Sequence, residues 1–445
     1  MTDLTNKTKE ILHLIYIKSK TKYIALTIFV IILSVIFAPA ACAANKWLVQ
    51  IDSLVSQAIV DGKIPGAVVC IVHDDSISYL RAYGNRQVYP TTAPMKTNTI
   101  FDLASLSKPT GTAMSVMVLY ERGQLDFADH VSKYIEGFND TITIAHLLTH
   151  TSGLPAYLNA ERMKQLYGAP APDSLMQHIT NLSHNNAPGS FRYSCLNFIT
   201  LQNIVERVSG MMLKDFYARE VATPLHLTSS AYCPPQSWRQ RIAPTENIKE
   251  GRSKYRLLHG EVHDPLARVM NGGNSGNAGL FSTAEDIARL CIFLLNHDKI
   301  SGPISAATVE KMTTIPEGFE AAGRTLGWDS QSDYNGCLGA FFSSKSICHT
   351  GYTGTSLAID PERRMALIIL TNRVHPKDKG GVGKLRSEIA NCVAMMYPLR
   401  DESLRYIKPY DCKIDDSRPF IRWRGTEPTL SKSAIRHRKK LLSRK

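Results

Sequence analysis

A serine hydroxyl is a poor nucleophile until a neighbour takes its proton. A lysine can take it only where burial and nearby charge lower its pKa. The run Phe101-Asp102-Leu103-Ala104-Ser105-Leu106-Ser107-Lys108-Pro109 sets Ser105 and Lys108 three residues apart. At the start of a helix that spacing puts both side chains on one side, close enough to touch. A helix start also brings backbone N–H groups toward a reacting carbonyl. The spacing alone is unspecific, because Ser19-Lys20-Thr21-Lys22 matches it too. What distinguishes Ser105 is the apolar stretch from Ala113 to Leu119 that follows, which would bury the pair. Taken by itself, the element also fits an N-cap serine followed by a surface lysine.

Two later runs carry further candidates. Phe191-Arg192-Tyr193-Ser194-Cys195-Leu196-Asn197-Phe198 supplies a phenol and a thiol. Cys348-His349-Thr350-Gly351-Tyr352-Thr353-Gly354-Thr355 opens a late strand, where Gly351 would let a ligand approach the backbone closely. The nine cysteines include no CxxC pair, so neither a zinc site nor a thioredoxin-like motif is supported. No metal and no cofactor are expected. Cys70, inside Val68-Val69-Cys70-Ile71-Val72, reads as a small core residue. The scattered spacing leaves any disulfide pairing open.

These residues must be positioned by a substantial fold. With 445 residues, 44% hydrophobic and 20% charged, the chain is long and apolar enough for a large core. Apolar residues at helical spacing predict a helix from about Lys46 to Asp61. Ala67 to Val72 and Ile77 to Tyr83 read as a hairpin around His73-Asp74-Asp75-Ser76. Ser105 to Glu121 reads as an apolar helix, and about 125–260 as mostly helical and loop-rich. Ser346 to Ile359 and Met365 to Thr371 are strands separated by Asp360-Pro361-Glu362-Arg363, and a last helix follows from about Gly381 to Met396. Strand–helix alternation is absent, which excludes a Rossmann or barrel architecture. The expected class is α+β: one antiparallel sheet built from both ends of the chain and flanked by helices, with a mostly helical region inserted.

The net charge of +13 suggests nucleic acid only until it is located. Residues 1–22 carry +3 and residues 432–445 carry +7, which leaves +3 for everything between. The basicity belongs to the two ends, so no nucleic-acid partner is expected. Tyr23 to Ala44 is uncharged and follows Lys18, Lys20 and Lys22. A basic flank, an apolar run and a small-residue end are the marks of an export signal or an N-terminal membrane anchor. The division expected is 1–44 as leader or anchor, 46–398 as the folded domain and 412–445 as a basic tail. The folded part is expected outside the cytoplasmic membrane of a bacterium, with membrane contact only through the leader.

The three chemical runs, in this order, resemble the serine β-lactamases and penicillin-binding proteins, and most nearly their class C-type, DD-peptidase and esterase branch. Ile64-Pro65-Gly66-Ala67, Leu147-Leu148-Thr149-His150-Thr151-Ser152-Gly153-Leu154 and Gly276-Asn277-Ala278-Gly279-Leu280-Phe281-Ser282-Thr283 reinforce the likeness, which covers roughly 46–398. The resemblance implies a β-lactamase/transpeptidase-like fold and an acyl-enzyme mechanism. It implies Ser105 as nucleophile, Lys108 as its proton partner and Tyr193 as a second base. It places the backbone N–H groups of Ser105 and Tyr352 at an oxyanion hole beside Thr350 and Gly351. His146 and His150 read as packing residues, and His263-Asp264 as a loop run found in some relatives.

Two positions depart from the family pattern. Cys195 stands where relatives carry Asn or Asp to bond a substrate amide, and a thiol bonds weakly. His349 stands where relatives carry a lysine that holds the substrate carboxylate, and histidine is mostly neutral at pH 7. The expected function is an exported serine hydrolase acting on a D-Ala-D-Ala-type peptide, a β-lactam or a small ester. The alternative is a catalytically weak cell-wall binding or scaffolding protein. Oligomeric state stays open.

Overall fold

The structure, a computed structural model, describes residues 46–250, 254–330, 332 and 336–399. The leader and the basic tail expected at 1–44 and 412–445 lie outside the described residues. The chain divides into two compact units, Met1–Asp52 and Ser53–Lys445. A helix over 46–60 (α1) opens the described part. All of the chemistry considered below belongs to the second unit.

Two continuously apolar strands form the middle of the main sheet. Strand β1 (Gly66–His73) is buried in all but its last residue, and the late strand Met365–Thr371 is buried throughout. Such continuous apolar runs, without alternation, are what strands covered on both faces require. Between them in sequence come β2 (Ser76–Gln87), β3 (Ala93–Pro94), β4 (Phe101–Asp102), β5 (Ala231–Tyr232), β6 (Asn247–Glu250), β7 (Lys254–Leu257), β8 (Leu280–Ser282), β9 (Ile347–Thr350) and β10 (Ser356–Asp360). Met365–Thr371 is therefore β11. The sheet order is β3-β2-β1-β11-β10-β9, and every pairing is antiparallel. The first and last thirds of the chain thus build one sheet, as the sequence implies.

The segment expected as a single strand from Ser346 to Ile359 splits into β9 and β10. Gly354 takes φ +115°, a conformation that glycine adopts without strain, and the chain turns back so that Thr350 pairs with Ser356. The segment expected as one helix from Ser105 is also subdivided. A 3-10 turn (Ala104–Leu106) leads into a wide π-turn (Lys108–Ala113) and then into α2 (Met114–Glu121). Pro109 has no N–H to donate at the point where the helix widens, and such wide turns recur at functional sites. Residues Met114 to Leu119 are buried without exception, so α2 is the spine of the core.

After α2 come α3 (Ile144–Leu148), α4 (Ala160–Tyr167), α5 (Pro172–Leu182), α6 (Cys195–Ser209) and α7 (Leu213–Tyr217); α6 and α7 pack on α2, and α3 and α5 on α6. The chain closes with α8 (Pro265–Val269), α9 (Ala284–Leu295), α10 (Ala306–Thr313) and α11 (Gly383–Met396). Helix α9 packs on β1 and β11, and α11 on β11. Five helices, α3 to α7, fall in the region expected to be helical, which also holds β5 and the β6–β7 hairpin. A second small sheet, β4-β8-β5, ties this region to the strand just before Ser105.

Candidate active site

Ser105 is positioned by strain that is held in place. Ala104 adopts φ +48°. The left-handed conformation costs a non-glycine residue about 1–2 kcal/mol. Asp102 stabilises it: Oδ1 accepts the Ala104 N–H at 2.8 Å, while Oδ2 accepts the His263 N–H at 2.6 Å. Asp102 is completely buried, and burial pushes its carboxyl above the usual range although both hydrogen bonds pull the other way. The sharp bend between β4 and the 3-10 turn leaves Ser105 partly exposed while its neighbours Ala104 and Leu106 are buried.

Lys108 follows one turn later and has no exposed surface. Its ammonium donates to Ser105 Oγ at 3.0 Å and to the Asn277 carbonyl at 2.8 Å, and lies 5.1 Å from the centre of the Tyr193 ring. The alternative of a surface lysine is thereby excluded. Tyr193 is buried, and its hydroxyl is hydrogen-bonded with Ser105. Burial chiefly, then Cys195, pushes its pKa up, while the Ser105 bond and the charge of Arg324 pull it down. One hydroxyl thus meets both an amine and a phenol, the arrangement a proton shuttle needs.

Cys195, the first residue of α6, is a free thiol with 6% exposure. It lies against Lys108 and Asn277, and burial raises its pKa. Its backbone N–H donates to the Ala156 carbonyl at 2.8 Å. The thiol is therefore packed onto Lys108 rather than open to solvent. His150 is also more than general packing. Its ring lies 4.4 Å from that of Tyr193, tilted by 34°, and Nδ1 accepts the Ser194 N–H at 3.1 Å, so it fixes the segment that carries the phenol. His146, in contrast, makes a capping box with Thr143 at the start of α3.

The β9–β10 turn closes the other side. Thr353 Oγ1 donates to the Asp102 carbonyl at 2.8 Å and Thr355 Oγ1 to the Leu103 carbonyl at 2.9 Å. The turn is stitched to the two residues that precede the Ala104 bend. Gly351 is required by that proximity, since a Cβ there would meet Thr355 Oγ1 at 2.1 Å and the Leu103 carbonyl at 2.3 Å. Tyr352, 39% exposed, is fixed at its tip: its hydroxyl donates to Asp378 at 2.7 Å, its ring stacks on His263 at 5.5 Å, and Arg373 lies 4.8 Å from the ring. His263 itself contacts Glu246 at 3.0 Å. This loop run packs against Tyr352 and Asp102, and none of the bonds described for it reaches Ser105. Thr350 stands half-buried at the end of β9, directly before Gly351.

His349 is buried, with Nδ1 2.9 Å from the Thr350 carbonyl. A carbonyl only accepts, so Nδ1 carries the proton and Nε2 is a bare acceptor. Burial, then the charges of Arg324 and Lys108, push its pKa well below the usual value, and it is neutral at pH 7. The absence of a fixed cation at this position, expected from the residue type, holds in the structure.

Sequence reasoning missed three members of the site. Asp102 was visible as an acid inside an apolar run. Asn277 acts through its carbonyl, which no side-chain pattern reveals. Arg324 gives no sequence signal at all, and it becomes visible only when the turn carrying it is laid along β9.

The comparisons agree with this geometry. The family model described as Beta-lactamase matches residues 51–390. The chain belongs to the beta-lactamase family and is a serine hydrolase with the β-lactamase/transpeptidase-like α+β fold. It is 31% identical to an N-acetylmuramyl-L-alanine amidase of Bacillus subtilis (strain 168), over 77% of this chain and 84% of that one. It is 33% identical to a putative D-alanyl-D-alanine carboxypeptidase of Escherichia coli (strain K12), over 73% of this chain and 82% of the relative. Among solved structures, the octameric penicillin-binding protein homologue from Pyrococcus abyssi superposes with a TM-score of 0.61 at 20% identity, covering 78% of this chain and 77% of that one.

Proposed function

We propose that this protein hydrolyses an amide bond in a peptide derived from peptidoglycan, through an acyl-enzyme on Ser105. The observation that carries the reading is the contact of Ser105 Oγ with both the Lys108 ammonium, at 3.0 Å, and the Tyr193 hydroxyl. As Oγ attacks the carbonyl carbon, its proton passes to the Lys108–Tyr193 pair, and the carbonyl π electrons move onto oxygen. The N–H groups of Ser105 and Tyr352 stabilise that oxyanion. The C–N bond then breaks, the amine leaves with the returned proton, and water hydrolyses the Oγ ester.

The names of the two relatives support an amide substrate, either D-alanyl-D-alanine or the N-acetylmuramyl-L-alanine linkage. The leader and the basic end residues support an exported protein whose folded part meets that substrate outside the cytoplasmic membrane. A β-lactam or a small ester would acylate the same serine by the same steps. The intact Ser105, Lys108, Tyr193 and Gly351 speak against a purely scaffolding role.

The test is mass spectrometry. Muropeptides incubated with the protein should lose D-alanine or a free L-alanyl peptide, and Ser105→Ala should abolish the loss. A p-nitrophenyl ester and a fluorescent penicillin, added separately, should each leave an acyl mass on Ser105. Absence of any Ser105-dependent product or adduct overturns the reading.

A further inference from the structure

Arg324 is completely buried, yet among the described residues none of its three guanidinium nitrogens has a hydrogen-bond partner. Its one ion pair among the described residues, to Asp329, is long at 3.4 Å. Burying a guanidinium so incompletely paired is costly, so its position needs a reason. The turn that carries it is anchored with care. Arg324 bridges to Asp329, and Asp329 bridges to Cys348 through backbone bonds of 2.9 and 2.7 Å, which adds the turn to the free edge of β9 beside His349. The guanidinium carbon thereby lies 5.9 Å from the centre of the Tyr193 ring and 5.5 Å from that of Phe191.

We propose that Arg324 is a positioning residue for acyl transfer: its guanidinium, locked against the ring of Tyr193, is the second cation, with Lys108, that favours the phenolate form of Tyr193 as proton acceptor for Ser105. This rests on the Ser105 acyl-enzyme reading. In the step concerned, the Ser105 proton moves to the Tyr193 oxygen while Oγ bonds to the carbonyl carbon. The proton then returns to the leaving group as its bond to carbon breaks.

The surroundings of Tyr193 on every side explain why a permanent charge is needed. Lys108 and Ser105 face it from the turn before α2, His150 from the loop after α3, and Cys195 from α6. His349 faces it from β9 with ring centres 6.1 Å apart, and Asp264 acts on it from the start of α8. Burial, Cys195 and Asp264 all oppose the phenolate. Both histidines are held neutral, each by burial first and Arg324 second, so neither adds charge. Among the described residues Arg324 and Lys108 are the cations recorded beside the ring, and Asp329 lies 3.4 Å from the former. The same geometry accounts for histidine at position 349, because a lysine there would bring a third cation into the space that Arg324 already serves.

The test is kcat/KM for p-nitrophenyl butyrate from pH 5.5 to 10 in wild type, Arg324→Met and Arg324→Lys. Arg324→Met should move the rising limb to higher pH by one unit or more and lower kcat/KM at pH 7 tenfold or more, with KM within threefold. Arg324→Lys should recover to within threefold of wild type. If Arg324→Met fails to fold because Asp329 is left buried alone, the double variant Arg324→Met/Asp329→Asn removes both charges and should show the same shift. An unmoved limb in a folded variant, or a lysine variant as poor as the methionine one, overturns the proposal while leaving the Ser105 mechanism intact. Loss of Ser105-dependent turnover in the wild type itself would overturn both.

Discussion

The ammonium of Lys108 bridges Ser105 Oγ, at 3.0 Å, and the carbonyl of Asn277, at 2.8 Å, so the nucleophile is tied through one side chain to the segment that leads into β8. The other nearby serine is structural, since Ser107 Oγ accepts the Leu280 N–H at 3.0 Å in full burial. Ser105→Ala should therefore abolish labelling by a fluorophosphonate or penicillin probe with little change in melting temperature. Ser107→Ala should keep labelling and lose about 1–3 kcal/mol of stability, because a buried amide loses its acceptor. Labelling and thermal melts on the two variants separate the roles, and labelling that survives in Ser105→Ala refutes the assignment.

Asp102 accepts two backbone amides, from Ala104 and His263, and is buried, with 2% of its surface exposed. In Asp102→Asn one of these amides would face an NH2 group, donor against donor. We expect a loss of about 1–3 kcal/mol in stability, together with a fall in kcat, since the Ala104 bend that aims Ser105 is no longer enforced. The diagnostic comparison is Ala104→Gly, which removes the strain of φ +48° without touching Asp102. It should be neutral or stabilising by up to about 1 kcal/mol. Urea unfolding and kcat on both variants check this, and an Asp102→Asn protein with wild-type kcat contradicts it.

Gly351→Ala should damage catalysis more than folding. Its Cβ would lie 2.1 Å from Thr355 Oγ1 and 2.3 Å from the Leu103 carbonyl, so the β9–β10 turn must move away from the strand preceding Ser105. That turn carries the Tyr352 N–H. Losing one oxyanion donor costs about 10²- to 10³-fold in rate. We expect a fall of that order in kcat, with KM changed far less, measured on a p-nitrophenyl ester. A kcat within threefold of wild type would place the oxyanion donor elsewhere.

What the sequence showed and what it hid divide along physical lines. The runs at β1 and β11 were legible because a strand buried on both faces must be apolar throughout, and the early hairpin because its turn is polar. The serine, lysine and tyrosine of the candidate site were legible because the runs that carry them resemble the motifs of one family. The strands β4, β5 and β8, two or three residues each, were too short to leave a period. The support given by His150 and Arg324 was hidden for another reason. Each acts across a contact between segments far apart in the chain, and local spacing carries no information about such contacts. His349 is the instructive mixture. Its type gave the loss of charge, but the cation that stands nearby came from a turn 25 positions earlier in the chain, Arg324.

The buried histidines give a pH dependence of stability whose sign can be worked out. His150 and His349 are both enclosed, and each has its pKa pushed well below the ordinary histidine value, by burial first and by Arg324 next. In the unfolded chain each titrates near about 6.5. Between that value and the depressed folded one, the unfolded state binds protons that the native state does not, so stability is full above about pH 6.5 and falls as the pH drops. Each such group contributes a slope approaching about 1.4 kcal/mol per pH unit. Half-buried His259 and buried His375, whose pKa values are also lowered, add to the same trend. Urea unfolding at steps from pH 7.5 to 5.0 should show stability flat at the top and declining below about 6.5. In His349→Gln the acid-side slope should shrink by about one proton's worth, while the plateau above pH 7 shifts only by a constant. A slope unchanged in that variant would mean that His349 takes up its proton in the folded protein. The site would then carry a third positive charge beside Lys108 and Arg324 at low pH.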